Sequence, residues 1–170
     1  MAHYLKFLIA DDKRDICESI KDSLKIELQK FNLVNDEDYE IKIVFTDHAY
    51  EHGCNEIRNG YRPNICIFDL VFNGYSGIDL FKFILKTINN NNNDSHAPRL
   101  QIPNLCIYTG VEKTYEKRKD AEILASQMAG LVNVICKPNI NEILEWLDVI
   151  LIEQYKLKKK IEDSDPFDLL

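Results

Sequence analysis

The chain is short of basic charge. Its 21 Lys and Arg residues stand against 28 Asp and Glu, a net charge of −7. A nucleic-acid-binding surface normally shows as a basic domain, so that class is not expected. The one basic run, Lys156–Lys160, is short. Long apolar runs are also missing, and none approaches the ~18 residues of a membrane span. The first apolar segment runs straight into Asp11-Asp12 without a small-residue cleavage site. A secretory leader is therefore not expected, and a cytoplasmic setting is.

Paired cysteines are missing too. Cys17, Cys54, Cys66, Cys106 and Cys136 are odd in number and widely spaced, and no two have metal-ligand spacing. Cys66, Cys106 and Cys136 lie inside apolar runs and are expected to act as small buried hydrophobes. His3, His48, His52 and His96 form no ligand cluster and read as surface residues. There are no internal repeats. A chain of 170 residues fits one domain, which buries roughly 70% of its unfolded surface.

Five short apolar runs alternate with five segments of helical spacing. The runs are Tyr4–Ala10, Ile41–Phe45, Ile65–Phe68, Leu105–Tyr108 and Leu131–Cys136. They lack polar alternation, as strands buried on both faces of a parallel sheet do. Ile16, Ile20, Leu24 and Leu28 mark the first helix. Ile78, Phe81, Leu85 and Ile88 mark the third. Ile123, Leu124 and Met128, with Tyr115, mark the fourth, and Ile143, Leu144, Leu147, Ile150 and Leu151 mark the fifth. The second, around Asp47–Arg58, is interrupted by Gly53. Such alternation predicts right-handed β-α-β units in a doubly wound α/β sheet. The Asn89–Asn93 run reads as part of an inserted loop.

Doubly wound sheets place their sites at the carboxyl ends of the strands. Here those ends carry Asp11-Asp12, Asp69, Thr109-Gly110 and Lys137-Pro138. On one rim, three carboxylates, a hydroxyl and an ammonium would converge. Phosphoryl transfer to a carboxylate suits this set. The clustered acids call for a hard cation such as Mg²⁺. Asp69 would attack, while Lys137 and Thr109 would each meet a phosphoryl oxygen. Gly110 would leave a backbone N–H free to approach the phosphate. Taken singly these residues are unremarkable: Asp is a favoured N-cap, and Lys-Pro after a strand is a common turn. Asp69 is harder to dismiss, since a lone acid after Ile-Cys-Ile-Phe would be costly to bury unpaired.

The pieces Phe7-Leu-Ile-Ala-Asp-Asp12, Ile67-Phe-Asp-Leu70 with Gly77, Tyr108-Thr-Gly110 and Cys136-Lys-Pro138 together resemble the receiver domain of bacterial two-component response regulators. The resemblance covers residues ~4–155. It implies a flavodoxin-like five-stranded parallel sheet, order 2-1-3-4-5, flanked by five helices. The receiver would span 1–157, with an Asn-rich inserted loop at 89–103 and a tail at 158–170. It implies a single-domain response regulator that is phosphorylated on Asp69. The donor would be a sensor histidine kinase or a histidine phosphotransfer protein. Mg²⁺ would be held by Asp11, Asp12, Asp69 and the Val71 backbone carbonyl, and the Lys137–Pro138 bond would be cis. Output would pass to a partner protein or through self-association of the fourth and fifth helices.

Three departures from the pattern stand out. Forty residues separate Asp69 from Thr109, and 28 separate Thr109 from Lys137, both longer than usual. Many receivers carry a switch aromatic where this chain has Val134. Asn73-Gly74 replaces a common proline, although Asn-Gly still turns well. Val71 and Val111 are apolar where water access is often tuned, which implies slow loss of the phosphoryl group. The alternative reading is a non-phosphorylated pseudo-receiver that binds a protein. An aspartyl-phosphate phosphatase would need an acid at the position of Val71, and activity is expected to be limited to self-phosphorylation and self-dephosphorylation.

Overall fold

The computed structural model describes residues 4–93, 99–110 and 115–160. His3, His96, Val111 and the tail from residue 161 lie outside them. The elements follow in order: β1 (Leu5–Ala10), α1 (Arg14–Gln29), β2 (Tyr39–Val44), α2 (Ala49–Arg58), β3 (Ile65–Phe68), β4 (Val71–Phe72), β5 (Tyr75–Ser76), α3 (Gly77–Asn92), β6 (Asn104–Thr109), α4 (Glu116–Gln127), β7 (Val132–Cys136) and α5 (Ile140–Glu153). The five long strands form one sheet in the order β2-β1-β3-β6-β7, every pair parallel. This is the expected order 2-1-3-4-5, with β6 and β7 as the fourth and fifth long strands.

Each inner strand divides its side chains between two cores. Leu8, Cys66, Phe68, Leu105 and Ile107 pack beneath α2, α3 and α4. Phe7, Ile9, Ile65, Ile67 and Cys106 pack beneath α1 and α5. Side chains alternate along a strand, so burial on both faces demands unbroken apolar runs. The edges are less covered, and Cys136 on β7 is exposed while the other four cysteines are buried. The expectation of a buried Cys136 fails because the strand's last outward position has no strand beyond it.

α2 runs straight through Gly53, because α3 leans on it there. A Cβ at Gly53 would lie 2.8 Å from Leu80 Cδ2. α3 starts from a reciprocal capping box in which Ser76 and Asp79 satisfy each other's backbone N–H.

The Asn run departs from the expected loop, since α3 continues to Asn92. Asn is an indifferent helix former. The stripe of Ile78, Phe81, Ile84 and Ile88 docks this helix, and adding residues to an existing helix is easier than starting one. Asn92 then clamps the returning chain. Its Oδ1 accepts the Leu100 N–H at 2.8 Å and its Nδ2 donates to the Leu100 carbonyl at 3.1 Å.

The turn at Asn73-Gly74 (Gly74 φ +80) closes a small antiparallel hairpin, β4–β5, directly after Asp69. Apolar periodicity gave no sign of strands this short. Tyr75 on this hairpin stacks on Tyr50 of α2, ring centroids 4.0 Å apart and planes within 6°.

Candidate functional site

Backbone hydrogen bonds between neighbouring strands set the rim. Asp69 N–H donates to the Ala10 carbonyl at 2.8 Å, and Asp11 N–H to Val44 at 3.2 Å. Lys137 N–H donates to the Thr109 carbonyl at 2.9 Å. These bonds bring Asp11, Asp69, Thr109 and Lys137 side by side, as the strand ends predicted.

Asp11, Asp12 and Asp69 each offer a carboxylate oxygen within 4.8 Å of the others. Asp11 is buried, Asp69 half-buried and Asp12 exposed. Lys137 Nζ donates to Asp11 Oδ2 at 2.6 Å and lies 3.4 Å from Asp69 Oδ1. It also sits 5.6 Å from the centre of the Tyr108 ring, within cation–π range. Asp11 Oδ1 accepts the Lys13 N–H at 2.9 Å, just ahead of α1. The N-cap of α1 is Lys13, so Asp11 holds the turn ahead of the helix and does not cap it. Asp69 Oδ1 accepts the Leu70 N–H at 2.8 Å.

Burial and charge oppose each other here. Burial pushes the Asp11 carboxyl up to about 6, against the Lys137 and Lys13 hydrogen bonds that lower it. Burial raises Asp69 also, opposed chiefly by the Lys137 charge. Burial would lower Lys137, but its Asp11 bond and the nearby acids more than reverse this, so it stays protonated. One ammonium thus pairs with two of the three acids, Asp11 and Asp69. Clustered hard oxygen donors with excess negative charge fit Mg²⁺, and Asp11, Asp12 and Asp69 would hold it. Val71 opens β4 beside them.

Gly77 has a steric role that spacing alone did not reveal. A Cβ there would stand 2.3 Å from the Asp69 carbonyl oxygen and 2.8 Å from Phe68 Cβ. Only glycine lets α3 start this close to the end of β3. Gly110 is exposed, and a Cβ on it would approach only Lys137 Cβ, at 3.9 Å. Thr109 is fully buried. The Lys137–Pro138 bond is cis. Beside Lys137, Ile16, Ile20, Tyr108, Pro138 and Ile140 line a cleft of about 400 Å³.

The fourth helix is oriented differently from the expected pattern. Ile123 and Tyr115 are exposed, and the fully buried positions are Arg118 and Ala121. Sequence reasoning passed over Arg118. Its spacing to Ala121, Ala125 and Met128 puts it on the buried face, but a charged residue reads as a solvent-facing one.

No protein-family model matches the chain. No curated protein matches it either. Solved structures do resemble it. A response regulator receiver domain protein from Clostridium thermocellum aligns over 89% of this chain and 98% of its own, at 18% identity and a TM-score of 0.58. The BeF3-activated DrrB receiver domain aligns over 88% and 98%, at 17% identity and a TM-score of 0.55. A two-component response regulator from Cytophaga hutchinsonii aligns over 90% and 100%, at 19% identity and a TM-score of 0.51. The fold is that of response-regulator receiver domains.

Proposed function

We propose that this chain is a stand-alone receiver that accepts a phosphoryl group on Asp69. The observation that carries this reading is the convergence of three carboxylates within 4.8 Å beside a half-buried lysine. A carboxylate oxygen of Asp69 attacks the phosphorus of a phosphohistidine in line. The bond from phosphorus to the donor nitrogen breaks, and the departing imidazole keeps the electron pair and takes up a proton. Lys137 exchanges part of its Asp11 contact for a phosphoryl oxygen. The Thr109 hydroxyl and the Gly110 N–H meet the other oxygens. Asp11, Asp12, Asp69 and the Val71 carbonyl would hold Mg²⁺, which would supply positive charge against the acids and the incoming group.

The donor is a sensor histidine kinase or a histidine phosphotransfer protein. Output is by protein contact, either with a partner or between copies through α4 and α5, where Ile123, Val149 and Ile152 are exposed. Among the described residues no helix is long and apolar enough to cross a membrane. Apolar Val71 makes for slow hydrolysis of the phosphoryl group. The test is modification of the intact chain by acetyl phosphate with Mg²⁺, read by mass. Wild type gains one phosphoryl group and Asp69→Ala gains none. Equal modification of both sinks the proposal.

The 2.6 Å bond from Lys137 to Asp11 favours a second reading, in which the lysine stays engaged and the domain only binds a protein. Binding of beryllofluoride with Mg²⁺ at the rim decides against it.

A further inference from the structure

Arg118 is 2% exposed. Its Nε–H donates to Glu122 Oε1 at 2.9 Å, but the Glu122 side chain is 51% exposed. Its NH2 donates to Cys136 Sγ at 3.5 Å, a weak acceptor. Its NH1 is buried and has no acceptor among the described residues. Buried guanidinium groups are ordinarily paired on all sides. Buried Glu27, by contrast, has both Lys30 and Lys159.

The place of this guanidinium matters. Cys136 ends β7, is the register partner of Thr109, and precedes Lys137. Cys136 lies one strand spacing (about 4.8 Å) from Thr109, so Arg118, which reaches its Sγ, sits at the rim end of the sheet. It is also one of only two residues that α4 buries fully. A force on Arg118 acts on one of the helix's few anchors.

We propose that Arg118 is a second cationic contact for the anionic group carried on Asp69, reached by an inward shift of the first turns of α4. The inference rests on the reading of Asp69 as the phosphoacceptor. A phosphoryl group brings fresh negative charge and three acceptor oxygens. The fork of a guanidinium matches those oxygens better than an ammonium does. The half-solvated Glu122 contact is weak enough to be exchanged for it. Lys137 then holds the group on the sheet side and Arg118 on the helix side, so occupancy of Asp69 is written into the position of α4.

The test uses the full chain with Mg²⁺ and beryllofluoride. The readouts are the Arg118 Nε–H resonance, hydrogen exchange of the α4 amides, and beryllofluoride affinity. In wild type the resonance shifts and the α4 amides respond. Arg118→Met still binds, about tenfold more weakly for the loss of one charged hydrogen bond, and its α4 amides stay silent. Arg118→Lys recovers part of the affinity. Unchanged affinity with an unchanged α4 response in Arg118→Met overturns the inference. Should that variant not fold, Glu122→Gln replaces it: freeing the guanidinium is expected to tighten beryllofluoride binding, and no change overturns the inference. Wild type that binds beryllofluoride with a still Arg118 resonance sinks this inference alone. Wild type that binds none sinks the Asp69 reading and this one with it.

Discussion

The two ends of the sheet are both polar, yet they are built on opposite terms. At the amino end of the strands three amides, Asn64, Asn104 and Gln154, are neutral and closed on the backbone or on each other. Asn64 Oδ1 accepts the Lys6 N–H at 2.8 Å. Asn104 and Gln154 exchange amide hydrogen bonds at 2.9 and 3.0 Å, tying β6 to the end of α5. At the carboxyl end, three acids cluster around one ammonium that pairs with only two of them, and burial raises the carboxyl groups of Asp11 and Asp69. The amides at one end are saturated, and the rim at the other has charge left over. Saturated polar groups define a structure, whereas surplus charge in a half-buried place is poised to take a partner.

Substitutions at the two ends should separate these roles. The largest effect belongs to Asp69→Ala, which is expected to abolish modification by acetyl phosphate while leaving the fold intact. Mass spectrometry and a thermal melt read the two together. A collapsed fold would mean that the rim is as structural as the opposite end. Next comes Gly77→Ala, whose methyl must displace the Asp69 carbonyl. A loss of about 3 kcal/mol is expected from overpacking, measured by denaturant unfolding. A variant within about 0.5 kcal/mol of wild type would show that the end of β3 yields easily.

A pH series comes third. The Asp11 carboxyl is raised to about 6 from 3.8 in the folded chain. The folded state therefore holds its proton where the unfolded state has released it. Without Mg²⁺, the stability contribution of this group is complete below about pH 4 and is lost as pH rises through about 6. Mg²⁺ competes with that proton, so its affinity should fall about tenfold per pH unit below 6, read by calorimetry. A flat profile would place the proton elsewhere. The smallest effect is at the amino end: Asn104→Ala should cost about 1–2 kcal/mol for the broken amide pair and leave phosphorylation untouched. A change in modification rate there would blur the contrast between the ends.

Much of this was legible in the sequence, for a physical reason. Inner strands buried on both faces must be apolar throughout, so their ends are marked by the first polar residue. Here that residue is the one at the candidate site: Asp11, Asp69, Thr109 and Lys137 were found this way. What was missed was decided by neighbours distant in the chain. The Asn89–Asn93 run looks like a loop until α3 is docked and Asn92 meets Leu100. Cys136 looks buried until β7 proves to be an edge. Arg118 looks solvated until α4 turns its face inward. Gly77 matched a pattern, but its necessity lies in a carbonyl eight residues back.

The Asn92 clamp has a practical consequence. Both hydrogen bonds to Leu100 are made by one side chain at the end of a helix, and β6 begins only at Asn104. The chain is thus gripped on either side of 94–98. That makes the stretch a natural splice point. A fluorescent protein or a second binding module inserted there would ride on the domain far from the rim, and phosphorylation could be followed in a living cell without occupying either the rim or α4.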